Sequence, residues 1–409
     1  MVAGVGASVG ASRLLLPVVG VASLFWGIRR VVYGRLSVRT PADWAVALLL
    51  LTLPLTLLVT ATPDTTRPQV YRLLAGLALY YAIVNWASSA RRLRLAIRVV
   101  MLAGLALALL TPFSVTMPTL DKLPFIPRLV YLRFTPTMAD TVNPNVMAGT
   151  LVIMLAPALS ALFFTRRSLG LLNLGLALAA SCAMLVMLLL TQSRGGLLAL
   201  AALLAALILL RWRRGWLVLL VAAGLGLVVV QARGFTDVLS ALGTNSTFGG
   251  LDARREIWSR AMFMTQDFAF TGIGMGSFEY VAGLLYPFIL APPDTPHAHN
   301  LFLQVAVDLG VPGLIAWLAI FLIVTAAAWK IYRAGRRNDD PWVMGLGAGL
   351  LGSQVALATH GLLDAVTWGM VRTAVIPWAL WGLAVAGSNI YAPAGGLRVN
   401  REDAADMED

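Results

Sequence analysis

Apolar runs of about 20 residues, long enough to cross the hydrocarbon of a bilayer as helices, recur along this 409-residue chain from its first residues to about Tyr391. Short clusters of arginine separate them. So many runs cannot all be packed into a water-soluble core. With 59% hydrophobic and 12% charged residues, the chain lacks the polar surface that soluble domains need. The fold class expected is therefore an all-α polytopic membrane protein, with the bilayer as its solvent.

The expected spans are Leu14 to Ile28, Trp44 to Ala61, Val70 to Trp86, Leu95 to Leu110, Val146 to Phe164 and Leu169 to Thr191. Gly195 to Leu210, Trp216 to Val230, Leu301 to Ile331, Trp342 to Leu363 and Thr373 to Ile390 follow, about eleven in all. The run from Leu301 is long enough to hold a short dipping helix before a full crossing. Arg29/Arg30/Arg35/Arg39, Arg91/Arg92/Arg94/Arg98, Arg166/Arg167, Arg211/Arg213/Arg214 and Lys330/Arg333/Arg336/Arg337 then fall on one side of the bilayer. Under the positive-inside rule that side is the cytoplasm. This also accounts for the net charge of +12 without a nucleic-acid partner. Arg13 stands before an apolar stretch followed by Arg29 and Arg30, a charge order unlike that of a cleaved signal peptide, so an uncleaved first span is expected.

Residues 1–392 read as one transmembrane domain with two long outer loops, 111–143 and 231–300; residues 393–409, acidic and poor in apolar residues, read as a disordered cytoplasmic tail. Within the second loop, Asp252 to Asp267 has helical composition with Trp258 and Met262 four apart on one face. Gly272, Gly274 and Gly276 then break it. One or two helices lying over the membrane are expected there. The glycine run lacks the spacing and the flanking strand of a nucleotide-binding loop and reads as a turn. Cys182 is the only cysteine, which excludes an internal disulfide and a thiolate metal cage.

Chemistry is expected on the outer side, because basic residues there are not explained by insertion. Two of the three histidines, His297 and His299, lie where the second outer loop re-enters the bilayer. A neutral imidazole can take a proton from an attacking hydroxyl, which makes His299 the candidate base. The alternatives are a histidine that caps the following helix, or a metal site of His297 and His299 on one side of an extended segment, with Asp294 nearby and His360 and Asp364 elsewhere. Arg194, between Ser193 and Gly195 at an outer surface, suits a diphosphate, since the guanidinium fork binds phosphate oxygens and stabilises a leaving group. Its alternative is a tight interhelical turn with a snorkelling arginine. Arg254 and Arg255, with Arg260, Lys122, Arg128 and Arg133 as possible neighbours, form either a cradle for an anionic lipid head or a solvated basic face.

These pieces, in this order, resemble the superfamily of O-antigen ligases, O-antigen polymerases and bacterial protein O-oligosaccharyltransferases, over about Asn143 to Asp364. The residues that carry the resemblance are His299-Asn300, nine residues, Gly310, two residues and Gly313. Ser193-Arg194-Gly195, Arg254 four before Trp258, Gly272-Ile273-Gly274, Asn143-Pro144-Asn145, and Asp364 following His360 are also similar. The resemblance implies a GT-C-type architecture with a large helical periplasmic loop. It further implies an inverting, metal-independent glycosyltransferase without a cofactor, using an undecaprenyl-diphosphate-linked glycan donor and a glycan, lipid or protein acceptor at the outer face of the inner membrane. His299 would be the base, and Arg194 and Arg254 would hold the diphosphate. Arg128, Arg133, Arg255, His297, Asn300 and Asp364 would line the substrate. Ligases of this kind usually have twelve spans, one more than the sequence suggests. Two rival readings are a transporter, since some superfamily members have been labelled possible bicarbonate transporters, and a non-catalytic scaffold of a glycan-assembly complex. The position of the ionisable groups, at the outer rim rather than at mid-span, favours catalysis over transport.

Overall fold

The computed structural model describes residues 24–115 apart from 25 and 35, then 137, 141–233, 251–292, 294–365 and 367–393. Among them the chain is helical, with one isolated bridge between Val115 and Val142 and no strand. The helices are α1 (Asp43–Val59), α2 (Pro63–Trp86), α3 (Ala90–Ser114), α4 (Pro144–Ser160), α5 (Leu171–Leu190), α6 (Arg194–Arg211) and α7 (Gly215–Arg233). They continue with α8 (Leu251–Asp267), α9 (Phe278–Leu285), α10 (Leu301–Arg337), α11 (Pro341–Gly361) and α12 (Val375–Tyr391).

Their starts are written locally. Asn143, Ser193, Asn300 and Asp340 each turn a side-chain oxygen onto free backbone N–H groups of the first turn. Pro144 and Pro341 follow their caps at positions where no N–H is needed. Helices occupy every expected span from Trp44 onward. Seven of them are long and apolar enough to cross a membrane. The apolar α1 and α12 are shorter, at 17 residues each, and α2 carries Asp64, Arg67 and Arg72 in its first half. The expected first span lies mostly outside the described residues, although 26–33 are helical.

The bundle is built around α4 and α11. Every residue of α4 from Val146 to Ser160 is buried, as expected of a helix that is apolar on all sides. Glycines and hydroxyls glue it together, since apolar side chains gain little from leaving lipid. A Cβ at Gly347 of α11 would lie 2.3 Å from the Tyr332 backbone nitrogen of α10, and Ser353 Oγ donates to the Ile153 carbonyl of α4 at 2.9 Å. At one end, Tyr332 Oη donates to Leu210 O at 2.6 Å and Arg211 Nε to Phe163 O at 3.0 Å, which gathers the arginine-bearing ends of α4, α6 and α10. By contrast α7 is exposed along most of its length.

Two features stand out in the segments expected on the outer side. The α10 helix is broken at Gly310, whose φ of 69° and ψ of −179° divide a short piece, 301–309, from a long one, 311–337, as the length of the apolar run suggested. Among the described residues of the second loop lie two helices, α8 and α9. Sequence alone does not assign the face that α8 buries. Ala253, Ile257, Ala261 and Met264 are buried, whereas Met262 is 50% exposed. Trp258, partly buried, packs against the same cluster. The first outer loop begins and ends together, with Val142 N donating to Ser114 O at 2.7 Å. Lys122, Arg128, Arg133, residues 234–250 and the tail from 394 lie outside the described residues.

Candidate active site

The glycine run after α8 makes the first half of the site's frame. Gly272, Gly274 and Gly276 all have positive φ (64°, 93° and 78°), so the run is a turn. It seats against the break in α10. Ile273 N donates to Val307 O at 2.8 Å and Val311 N to Ala269 O at 2.7 Å. A Cβ at Gly272 would meet the Asp308 carbonyl at 2.5 Å. The two glycine motifs, 38 positions apart in sequence, are thus two sides of one backbone contact.

The histidines sit at the mouth of α10. Asn300, not His299, caps the helix, its Oδ1 accepting from Phe302 N and Leu303 N at 3.0 Å each. The capping alternative for His299 therefore falls. His299 has a φ of 47°, in the left-handed region that non-glycine residues seldom adopt, so the segment is not extended. The two rings still face each other, with centroids 4.1 Å apart, and His299 N donates to His297 Nδ1 at 3.1 Å.

Asp364, in the turn after α11, closes the group. Its Oδ1 lies 3.6 Å from His297 Nε2 and 3.7 Å from His299 Nδ1, and the residue is 4% exposed. Burial alone would raise its carboxyl, but contact with His299 and the charges of His297, His299 and His360 together hold it below the usual carboxylate range. Burial pulls the His297 imidazole down to about 4, with Asp364 opposing and His299 and Arg254 reinforcing the shift. His297 is therefore neutral at pH 7, whereas the His299 side chain is the more open of the two, 26% against 11% exposed.

Arg254, on α8, reaches over to donate from Nη1 to the Leu363 carbonyl at 3.0 Å, beside Asp364. Burial lowers its guanidinium, Asp364 raises it and Arg194 lowers it again, so all three charges feel one another. Arg194 opens α6 behind the Ser193 cap. The adjoining Gly195 packs on Leu363 and on His360, the third histidine, whose ring also lies against Gly149 of α4. Arg194, Arg254, His297, His299 and Asp364 thus converge at the end of the bundle opposite the arginine-bearing ends of α4, α6 and α10.

Residues 179–318 match the family model described as O-antigen ligase, a stretch that contains Arg194, Arg254, His297 and His299. The segment belongs to the O-antigen ligase superfamily. No curated protein matches the chain. The match supports a glycosyltransferase-type enzyme with glycan and lipid-linked substrates at family level, and the long apolar helices support a multi-pass membrane protein.

Not every residue singled out in the sequence joins this group. Arg255 points away, its side chain 77% exposed and paired with Asp252 at 3.5 Å, because neighbours on a helix are turned about 100° apart. Asn300 is occupied with the helix cap and with Leu362 O, to which its Nδ2 donates at 3.2 Å. Asp294 is exposed and outside the histidine group. Arg128 and Arg133 lie outside the described residues.

His297, His299 and Asp364 each offer a donor atom, all within 4.8 Å of one another, a geometry that can hold a metal ion. The charges around it do not favour one. A divalent cation would meet a single carboxylate and two guanidinium groups, Arg254 and Arg194, that act on the same spot. An anion such as a diphosphate is attracted by that pair.

Residues that sequence reasoning missed support the site from behind. Glu256 accepts three backbone N–H bonds, from Ile289 (2.8 Å), Leu290 (2.7 Å) and Ala291 (2.8 Å), and so ties the helix of Arg254 to the strand of chain leading to His297. Burial raises the Glu256 carboxyl, but these bonds and Arg260 outweigh it and leave it lowered. A lowered carboxylate contributes stability above its unfolded value, near 4.5, and loses it as pH falls through the lower folded value. Amide-exchange protection at 289–291 should therefore hold between pH 7 and 5 and decay below about 4.5. In Glu256→Gln it should already be weak at pH 7. Equal protection in both proteins at neutral pH would show that the carboxylate does not hold this loop.

Proposed function

We propose that this protein transfers a glycan from an undecaprenyl-diphosphate carrier to an acceptor hydroxyl at the outer face of the cytoplasmic membrane, with inversion and without a metal. The observation that carries this reading is the meeting of two arginines with the His299–Asp364 pair at one end of an apolar bundle. Asp364 opposite Nδ1 favours the His299 tautomer with its proton there and its lone pair on Nε2. Nε2 takes the acceptor's proton while the acceptor oxygen attacks the anomeric carbon from the side opposite the diphosphate. The bond from that carbon to the diphosphate oxygen breaks, and the electron pair leaves with the carrier. Arg194 and Arg254 stabilise that charge as it forms. His297, neutral and buried, holds the His299 backbone rather than acting as base. Helical outer segments over an all-helical bundle fit a GT-C-type architecture.

The test uses purified protein in lipid, an undecaprenyl-diphosphate oligosaccharide, a panel of glycan, lipid and protein acceptors, and chelator throughout. Release of undecaprenyl diphosphate with glycan on one acceptor is expected. Arg194→Ala and Arg254→Ala should each slow it about 10²–10³-fold. Turnover that chelator abolishes and an excess of divalent ion restores, or that survives both substitutions, would remove this mechanism.

A further inference from the structure

The cap and first piece of α10 carry a polar residue at every fourth position, Asn300, Gln304 and Asp308, and the two helical ones, Gln304 and Asp308, share one stripe of an otherwise apolar helix. Gln304 and Asp308 are completely buried. Buried polar groups persist where each finds a partner, and here the partners form one chain. Gln304 Oε1 accepts from Ala298 N at 2.7 Å, between the two histidines. Its Nε2 donates to Asp308 Oδ1 at 2.9 Å, and Asp308 Oδ2 accepts from Trp368 Nε1 at 2.8 Å. Asp308 Oδ1 also accepts from Gly276 N at 3.3 Å.

These three residues touch both halves of the site without entering it. Asn300 holds Leu362 and Asp308 holds Trp368, the two flanks of the segment that carries Asp364. Gln304 holds Ala298, the residue between His297 and His299. The left-handed backbone of His299 is costly by itself and persists only where the surroundings impose it. The geometry points to Gln304 and Asp308 as positioning residues that set the distance and tilt of His299 against Asp364.

This inference rests on the transferase reading for its catalytic consequence, but its structural half can be read separately. The chain has only three histidines, so labelled imidazoles are resolvable by NMR in the full-length protein in lipid. Asp308→Asn keeps the shape but cannot accept from both Gln304 Nε2 and Trp368 Nε1, since one of its two terminal atoms is itself a donor. The double variant Gln304→Glu/Asp308→Asn restores every pairing except the long bond from Gly276. Asp308→Asn and Gln304→Leu should move the His297 and His299 resonances and lower kcat about 10–100-fold with the donor KM unchanged, and the double variant should recover to within about threefold. Unmoved resonances with parental kcat in Asp308→Asn, or a raised KM with parental kcat, would overturn the positioning role. If Gln304→Leu fails to fold, the exchange of Asp308→Asn against the double variant decides alone. Resonances that move and recover in a protein with no transfer activity would uphold the positioning role and end the transferase reading instead.

Discussion

His299→Ala is expected to lower glycan transfer by about 10²–10⁴-fold, the range lost when a general base is removed, with donor binding retained. In the proposed mechanism the imidazole acts on the acceptor, and the arginines assigned to the diphosphate come from other helices, α6 and α8. His297→Ala should cost less. Its ring is buried, neutral at pH 7 and engaged in accepting the His299 backbone N–H, so its removal loosens the base without deleting it. Single-turnover rates with prebound donor would separate the two. If His297→Ala were the more damaging, the roles of the two rings would have to be exchanged.

Gly310→Ala should be strongly destabilising. At φ 69° and ψ −179° an alanine is held where almost only glycine goes, at about 1–3 kcal/mol. Its Cβ would also lie 2.7 Å from Ala269 O and 2.9 Å from Phe270 C, backbone atoms that cannot swing aside. Overpacking of this kind adds about 1–3 kcal/mol more. The helix break would relax, and Asp308 and the histidine turn would move with it. Gly283→Ala is the control, because a Cβ there meets nothing within 4 Å and α9 is helical. Thermal unfolding in lipid should show Gly310→Ala well below the parent and Gly283→Ala at or slightly above it. Equal transitions for the two would mean that the contact between the glycine motifs does not hold the fold.

Much of the site could be read along the chain because its parts are local. The cap chemistry of Asn300, the break at Gly310 and the placement of Arg194 at the head of a helix depend on residues within a few positions of one another. The spacing of Asn300, Gln304 and Asp308 was equally legible, since polar residues four apart in an apolar run are costly without a purpose. Arg254 was singled out over Arg255, but the directions of their side chains were not legible in the same way. Adjacent in sequence, they point in different directions, and only the packing of Ala253 and Ile257 beneath them decides that Arg254 faces inward.

Sequence alone established the membrane-type helical fold, the alternation of arginine clusters and the motif spacing, because transfer free energy and helix geometry act over about one turn or one span. The meeting of Asp364 with His297 and His299, the face on which α8 lies down and the contact between Gly272 and Gly310 were decided only in three dimensions. These join residues that are tens of positions apart, and their distances depend on how closely neighbouring helices can pack, which here is governed by glycine and alanine at the contacts.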